Sequence, residues 1–285
     1  MHYIGKFDKS ALTPHATFEH HSQGHRQAAL VDHTTGSLHT GLSISQLAAG
    51  GTVLPHVHSF EESFYLLEGQ AVVSVNEHTY LLGPGDYGVV KVGTLHAWRN
   101  VGSVPAGWLQ MAAPQPKPLG KERDTFFLKD GVSPTEAAPL DLNDLKGNLL
   151  GHFDVGQITD EGRISAGGLK GVFLKWLIDE KFGARHHRLL FIEYQPGVGI
   201  GLHDHGYEEA YFILSGEIEA TLDGERYLAK PGDVIWTGVG CVHAFVNIGN
   251  EPVRWLETFS PQPPTENVFR FMAEWDKRAK ELEGN

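Results

Sequence analysis

Four residues of metal-ligating type recur in this chain at one fixed spacing. His56, His58, Glu62 and His96 are matched by His203, His205, Glu209 and His243, each 147 residues after its counterpart. The register also carries Gly50/Gly197, Gly69/Gly216, Pro84-Gly85-Asp86/Pro231-Gly232-Asp233, Asn100/Asn247 and Trp108-Leu109/Trp255-Leu256. Between Gly50 and Pro116, 24 of 67 aligned positions are identical, with no gap. A repeat this long without insertion predicts two copies of one structural unit, each holding three imidazoles and one carboxylate.

The length of 285 residues accommodates two domains of ordinary size. The reading places an N-terminal barrel over 1–116, a linker over 117–150, a C-terminal barrel over 151–263 and an amphipathic helix over 264–285. In that last segment Val268, Phe271, Met272, Trp275, Ala279 and Leu282 fall at helical spacing. The linker is expected to hold a short helix near 140–145 and to cover one barrel. A formal net charge of −12 argues against nucleic acid or an anionic membrane as partner, and no Lys/Arg run exceeds two residues. No apolar stretch approaches the length of a membrane span. The start lacks the apolar core of a secretory signal, and Cys241 is the only cysteine. Both fit a cytoplasmic location.

Short apolar runs at 40–46, 63–75 and 190–195, punctuated by Gly, Pro and Asn, read as strands of a sandwich or small barrel. On a strand, residues i and i+2 share a face, so His56 and His58 converge while Val57 turns away. Glu62 reaches back from the next strand, and His96 arrives from a separate one. His203, His205, Glu209 and His243 repeat the arrangement.

These spacings resemble the cupin superfamily. Its first motif, G-x5-H-x-H-x3-E-x6-G, is met by Gly50, His56, His58, Glu62 and Gly69, and by Gly197, His203, His205, Glu209 and Gly216. Its second, G-x5-P-x-G-x2-H-x3-N, is met by Gly85, Gly93, His96 and Asn100, and by Gly232, Gly240, His243 and Asn247. The motif proline is replaced by Lys91 and by Gly238. The resemblance covers roughly 28–116 and 175–263. It implies an all-β chain of two tandem cupin barrels (double-stranded β-helix, jelly-roll), to which the C-terminal helix is added. It further implies one divalent metal ion per barrel. Fe or Mn is favoured, and Ni, Co, Zn and Cu are compatible with the same donors.

Differences between the copies bear on function. Alternation aims Phe64, Leu66, Trp98 and Asn100 into the first barrel, and Tyr211, Ile213, Phe245 and Asn247 into the second. Only the second gains an inward phenol, so Glu209 and Tyr211 are the residues expected to carry chemistry there. The competing reading makes Tyr211 a core tyrosine with a satisfied hydroxyl. Gly197, Gly199 and Gly201 offer an open mouth, which makes the second site the first choice for catalysis. Cys241 reads as a small buried hydrophobe, Glu61 and Glu208 as rim residues, and His20-His21 and His186-His187 as exposed or core-edge histidines.

The resemblance to quercetinase-type bicupins makes a dioxygenase the leading expectation, with a small aromatic or enolisable substrate and O2 as partners. A redox-neutral decarboxylase, lyase or isomerase is the alternative. An oxalate decarboxylase in particular is expected to carry a pocket arginine that is absent between Gly50 and His58 and between Gly197 and His205. A non-catalytic ligand-binding bicupin is the third reading, and a homo-oligomer is compatible with all three.

Overall fold

Glycine-punctuated runs of β-branched and aromatic residues make short strands, and those strands close into two barrels. The computed structural model describes residues 1–120, 123–128, 138–139, 149–166, 169–262 and 270–271, and among them only strands and three short 3-10 turns occur. In the first half, the strand order runs Ala138–Pro139, His78–Leu82, Ala71–Val75, His96–Arg99, Gly41–His58, Ala106–Ala113, Glu61–Glu68, Asp86–Val90, Leu150–His152. Ser22–Val31 and Thr125–Phe127 pair along Gly41–His58 as well.

The second half repeats the plan in two sheets. Glu208–Ser215, Val253–Ser260 and Arg188–Tyr194 lie side by side in one, and Ile218–Leu222, His243–Val246 and Gly199–Asp204 in the other. The long strand Gly41–His58 thus corresponds to two strands here, Arg188–Tyr194 and Gly199–Asp204. Pro196 lacks an N–H and stands where the first copy has Ala49, which explains the interruption.

The repeat is legible in the backbone too. Gly69 and Gly216 both take φ of +75°, and a Cβ on either would collide with the carbonyl oxygen of Pro105 or Pro252. Only glycine satisfies both the left-handed turn and the close approach.

Each half lends a strand to the other. His2–Lys6 pairs antiparallel with Asp233–Thr237, and Leu150–His152 pairs with Asp86–Val90. Strand alternation explains the apolar layout: Phe64 and Leu66 fill the first barrel with Trp98 and Trp108, while Tyr211 and Ile213 fill the second with Phe245 and Trp255. The opposite faces, including Tyr65, Met111, Leu189, Phe191 and Phe212, join one apolar layer between the barrels. Burying each such large side chain contributes about 1.5–3 kcal/mol, so the halves are fused by a core of their own.

Two expectations need correction. Glu61 and Glu208 are buried, at 1% and 2% exposure, rather than on the rim. Each points away from its own barrel and into the opposite half. Glu208 accepts from the N–H groups of Leu38, His39 and Thr40 at 2.8, 3.1 and 3.1 Å and from Ser37 Oγ at 2.6 Å. Glu61 accepts from the N–H groups of Arg185 and His186, and His187 Nδ1 lies 3.0 Å from it. His187 is accordingly buried at the junction rather than exposed.

The short helix expected near 140–145 lies outside the described residues. So does the C-terminal helix expected over 264–285, apart from Arg270–Phe271, which are extended and pair with Asp204 and His203. No described helix is long and apolar enough to cross a membrane.

Candidate metal centres

The antiparallel pairing of Gly41–His58 with His96–Arg99 sets His56 directly opposite His96, and His203 stands opposite His243 in the same way. Adding His58 and His205 from the same strand face brings three imidazoles together in each barrel. Their ring nitrogens lie within 4.8 Å of one another, and all six residues are buried.

Backbone carbonyls fix the tautomers. His56 Nδ1 donates to Leu54 O at 2.7 Å and His96 Nδ1 to Thr94 O at 3.0 Å. His203 Nδ1 donates to Gly201 O at 2.6 Å and His243 Nδ1 to Cys241 O at 2.9 Å. Each ring bonds the carbonyl two residues earlier, which leaves Nε2 directed to the centre, the usual way an outer hydrogen bond orients a metal-binding imidazole. His58 Nδ1 uses Thr125 Oγ1 instead, at 3.0 Å, and Thr125 Oγ1 donates onward to Asp124 Oδ1 at 3.3 Å.

The carboxylates complete the sets. Glu62 Oε2 lies 3.3 Å from His58 Nε2; Glu209 lies 3.2 Å from His205 Nε2 and 3.0 Å from His243 Nε2. In the first barrel the buried Nε2 atoms of His58 and His96 make no hydrogen bond. Buried polar nitrogens aimed at one point beside a buried carboxylate are costly alone and are satisfied together by a cation. The donor sets therefore fit divalent metal ions.

Electrostatics separate the two centres. Burial holds His56 well below the ordinary imidazole value and His96 down to about 4, so both are neutral donors at pH 7. Burial opposes ionisation of Glu62, but the adjacent His58 ring outweighs it and keeps the carboxyl low. In the second barrel burial lowers His203 to about 3. Burial works in the same direction on His243, but Cys241 and Glu209 overcome it and raise that ring, while burial of Glu209 is outweighed by His205 and His243, which lower its carboxyl. The two shifts run in opposite directions across the 3.0 Å contact between His243 and Glu209, and a metal ion would replace that contact.

The residues that hold the carboxylates also differ. Gln110 Nε2 donates to Glu62 Oε2 at 2.7 Å, and its Oε1 accepts from Ser45 Oγ at 2.7 Å. The second copy has Glu257 in place of Gln110, bonded by Trp255 Nε1 at 2.8 Å and raised well above the usual range by burial and by Glu209. Glu209 Oε2 is held instead by the Tyr211 hydroxyl at 2.5 Å, with Thr237 Oγ1 at 3.4 Å. Tyr211 therefore sits at the centre, as its alternation implies, and spends its proton on the carboxylate of that centre. Asn100 and Asn247 are buried and tie strands, donating to Leu47 O and Val104 O, and to Tyr194 O and Glu251 O.

Sequence reasoning missed Gln110 and Thr125. A signal existed for the first: Gln110 shares a strand face with Trp108 and is opposite Phe64, one step along that face from Glu62. Thr125 arrives through the linker, which does cover a barrel: Phe127 packs on His56 with ring centroids 5.2 Å apart.

Among the described residues a cavity of about 370 Å³ reaches the first centre at His58, the one ligand candidate on its wall. His58, Gln110 and Thr125 lie on its inner wall; Gln27, Ser43, His15, Asp32, Lys117 and Asp124 add polar groups, and Phe18, Phe60 and Leu42 apolar ones. The second centre, chosen from sequence for its glycines, is approached by the strand Arg270–Phe271, with the Phe271 ring 5.6 Å from His203.

The family described as Cupin domain matches residues 43–111 and 190–259, one match in each barrel. Among curated proteins, polyketide synthase CurC of Streptomyces cyaneus is 31% identical over 71 residues, which are 25% of this chain and 46% of that protein. The oxalate-binding protein of Thermotoga maritima is 40% identical over 62 residues, 21% of this chain and 51% of that protein. The chain spans about half the length of the curated relatives it matches. Among solved structures, a formate complex of Lactobacillus farciminis oxalate decarboxylase aligns over 98% of this chain and 95% of its own, with TM-score 0.68 and 15% identity. A Bacillus subtilis oxalate decarboxylase mutant aligns over 95% and 80%, with TM-score 0.64 and 16% identity. At those identities the likeness concerns the fold.

Proposed function

Because the chain is a two-domain member of the cupin family, with a donor set for a divalent metal ion in each barrel, we propose that it is a metal-dependent enzyme whose chemistry takes place at the first centre. The cavity that reaches His58 and Gln110 carries this reading. This reading differs from the sequence expectation of the second centre, and its support is the cavity on the side of the first barrel. A volume of about 370 Å³ is within the usual range for small-molecule sites and exceeds what a two-carbon diacid needs. The wall is mostly apolar with amides, hydroxyls and imidazole set into it, which suits an enolisable compound larger than oxalate whose oxygens meet those groups.

The reaction proposed is redox-neutral, a decarboxylation or proton transfer. Its support is the whole-chain likeness to oxalate decarboxylases and the match to an oxalate-binding protein. His56, His58, Glu62 and His96 would hold the ion, with Mn or Fe favoured by the mixed imidazole and carboxylate donors. When bound, such an ion supplies Lewis acidity to an enolate-like substrate oxygen. Gln110 fixes the Glu62 carboxylate, and the Thr125–Asp124 pair fixes His58 with Nε2 inward. His15, kept neutral by burial, accepts from Thr17 N–H at Nδ1 and retains Nε2–H as a donor on the cavity wall.

A dioxygenase remains the second reading, favoured by the Phe18, Phe60 and Phe127 rings around His56 and His58. A screen of keto acids, hydroxy acids, phenols and β-diketones, run with and without air while O2 is recorded, tests the assignment. Turnover without stoichiometric O2 uptake is expected. One O2 consumed per product would establish the dioxygenase instead.

A further inference from the structure

A third group of donors lies outside both barrel centres. A ring nitrogen of His2, a carboxylate oxygen of Asp223 and Cys241 Sγ are within 4.8 Å of one another. They come from three segments: the docked strand His2–Lys6, the turn between Ile218–Leu222 and Glu225–Ala229, and the turn that leads into His243.

Each donor is held in place. Asp223 adopts φ +48°, its N–H donates to Val242 O at 2.7 Å, and its Oδ1 accepts from Val242 N–H at 3.1 Å. Oδ2 is thereby turned toward His2. The Tyr227 hydroxyl donates to Glu225, so at its 3.0 Å contact with His2 Nε2 it accepts the N–H. His2 Nδ1 lies 3.2 Å and the Met1 α-ammonium 2.7 Å from Asp223 Oδ2, so this oxygen already gathers hydrogen-bonding and positive groups. A divalent cation would take their place on Oδ2 and on the imidazole, and would engage the buried thiol as well.

We infer that His2, Asp223 and Cys241 form a third metal site, of mixed nitrogen, oxygen and sulfur donors, suited to Zn2+. Thiolate with imidazole and carboxylate is a recognised zinc donor set, whereas the two barrel centres contain no sulfur. Binding releases the thiol proton and ties the exchanged strand to the second barrel two residues before His243.

Co2+ titration of protein stripped with a chelator tests the site, because only a thiolate ligand gives a near-ultraviolet sulfur-to-cobalt charge-transfer band. The band is expected to grow in after the two barrel centres have taken their ions and to saturate by three equivalents, to vanish in Cys241→Ser, and to need at least tenfold more Co2+ in His2→Ala and Asp223→Asn. Asparagine tolerates the backbone of position 223, and both of those positions lie toward the surface, so these two variants decide the matter if Cys241→Ser fails to fold. Absence of the band, or a band unchanged in His2→Ala and Asp223→Asn, overturns the inference. The band reports sulfur alone, so its failure leaves the reading of the two barrel centres untouched.

Discussion

Two carboxylates stand in succession at the head of each ligand-bearing hairpin, Glu61-Glu62 and Glu208-Glu209, and the strand pleat sends them in opposite directions. One enters its own barrel as a ligand candidate; the other crosses to the opposite half. Alternation foretold the divergence, but the sequence could not say that the outward face meets protein rather than water. The convergence of His56 with His58 and of His203 with His205 was legible because i,i+2 spacing fixes a shared face, and the other four candidates were legible from the motif spacing. Their supports were less so. Gln110 and Glu257 break the repeat's identity, and Tyr211 was placed correctly without its partner being apparent. Replacing Tyr211 with Phe removes the 2.5 Å bond to Glu209. Metal affinity at the second centre should fall roughly 10–100-fold, with the first unchanged, as read by metal titration. His25 offers a pH test. Burial, then the neighbouring His15, depresses it to about 4 from an unfolded value near 6.5. Its contribution is present above pH 6.5 and is lost as pH falls toward 4, because the unfolded chain then binds the extra proton. Metal-free protein should lose stability across that window, and His25→Gln should reduce the total loss between pH 6.5 and 4 by roughly 2–3 kcal/mol in denaturant unfolding.

At the scale of elements, the reciprocal clasp and the exchanged strands do the joining. Glu208→Ala would strip Leu38, His39 and Thr40 of a shared acceptor inside the protein. A loss of about 3 kcal/mol is expected in chemical denaturation, and an effect under about 0.5 kcal/mol would return Glu208 to the rim. The exchanged strand makes a different forecast. Ile4 pairs with Ile235 and packs against the core of the second barrel. Ile4→Asp should expose the amides of Asp233–Thr237 to hydrogen exchange while those of Asp86–Val90 stay protected. Equal loss in both strands would contradict a local role. The barrel strands were readable from turns and alternation. The exchange was not, since nothing in five residues at 2–6 names a partner more than 200 positions away. The apolar run Phe64-Tyr65-Leu66-Leu67 did hold a signal, because a strand apolar on both faces is covered on both.

For the whole molecule, duplication with divergence is the organising fact. Both halves keep the donors, and each has changed what surrounds them: an amide and a cavity in the first, a phenol and a second buried carboxyl in the other. The central claim is that each barrel holds its own ion through its own three histidines and glutamate. Metal analysis of protein purified without added metal, alongside His96→Ala and His243→Ala, tests it most directly. Each variant should lose one equivalent relative to the parent and the double variant two, with circular dichroism preserved, because each barrel keeps its apolar core. Metal content that is unchanged in both single variants, or that vanishes entirely in either one, would contradict two independent centres.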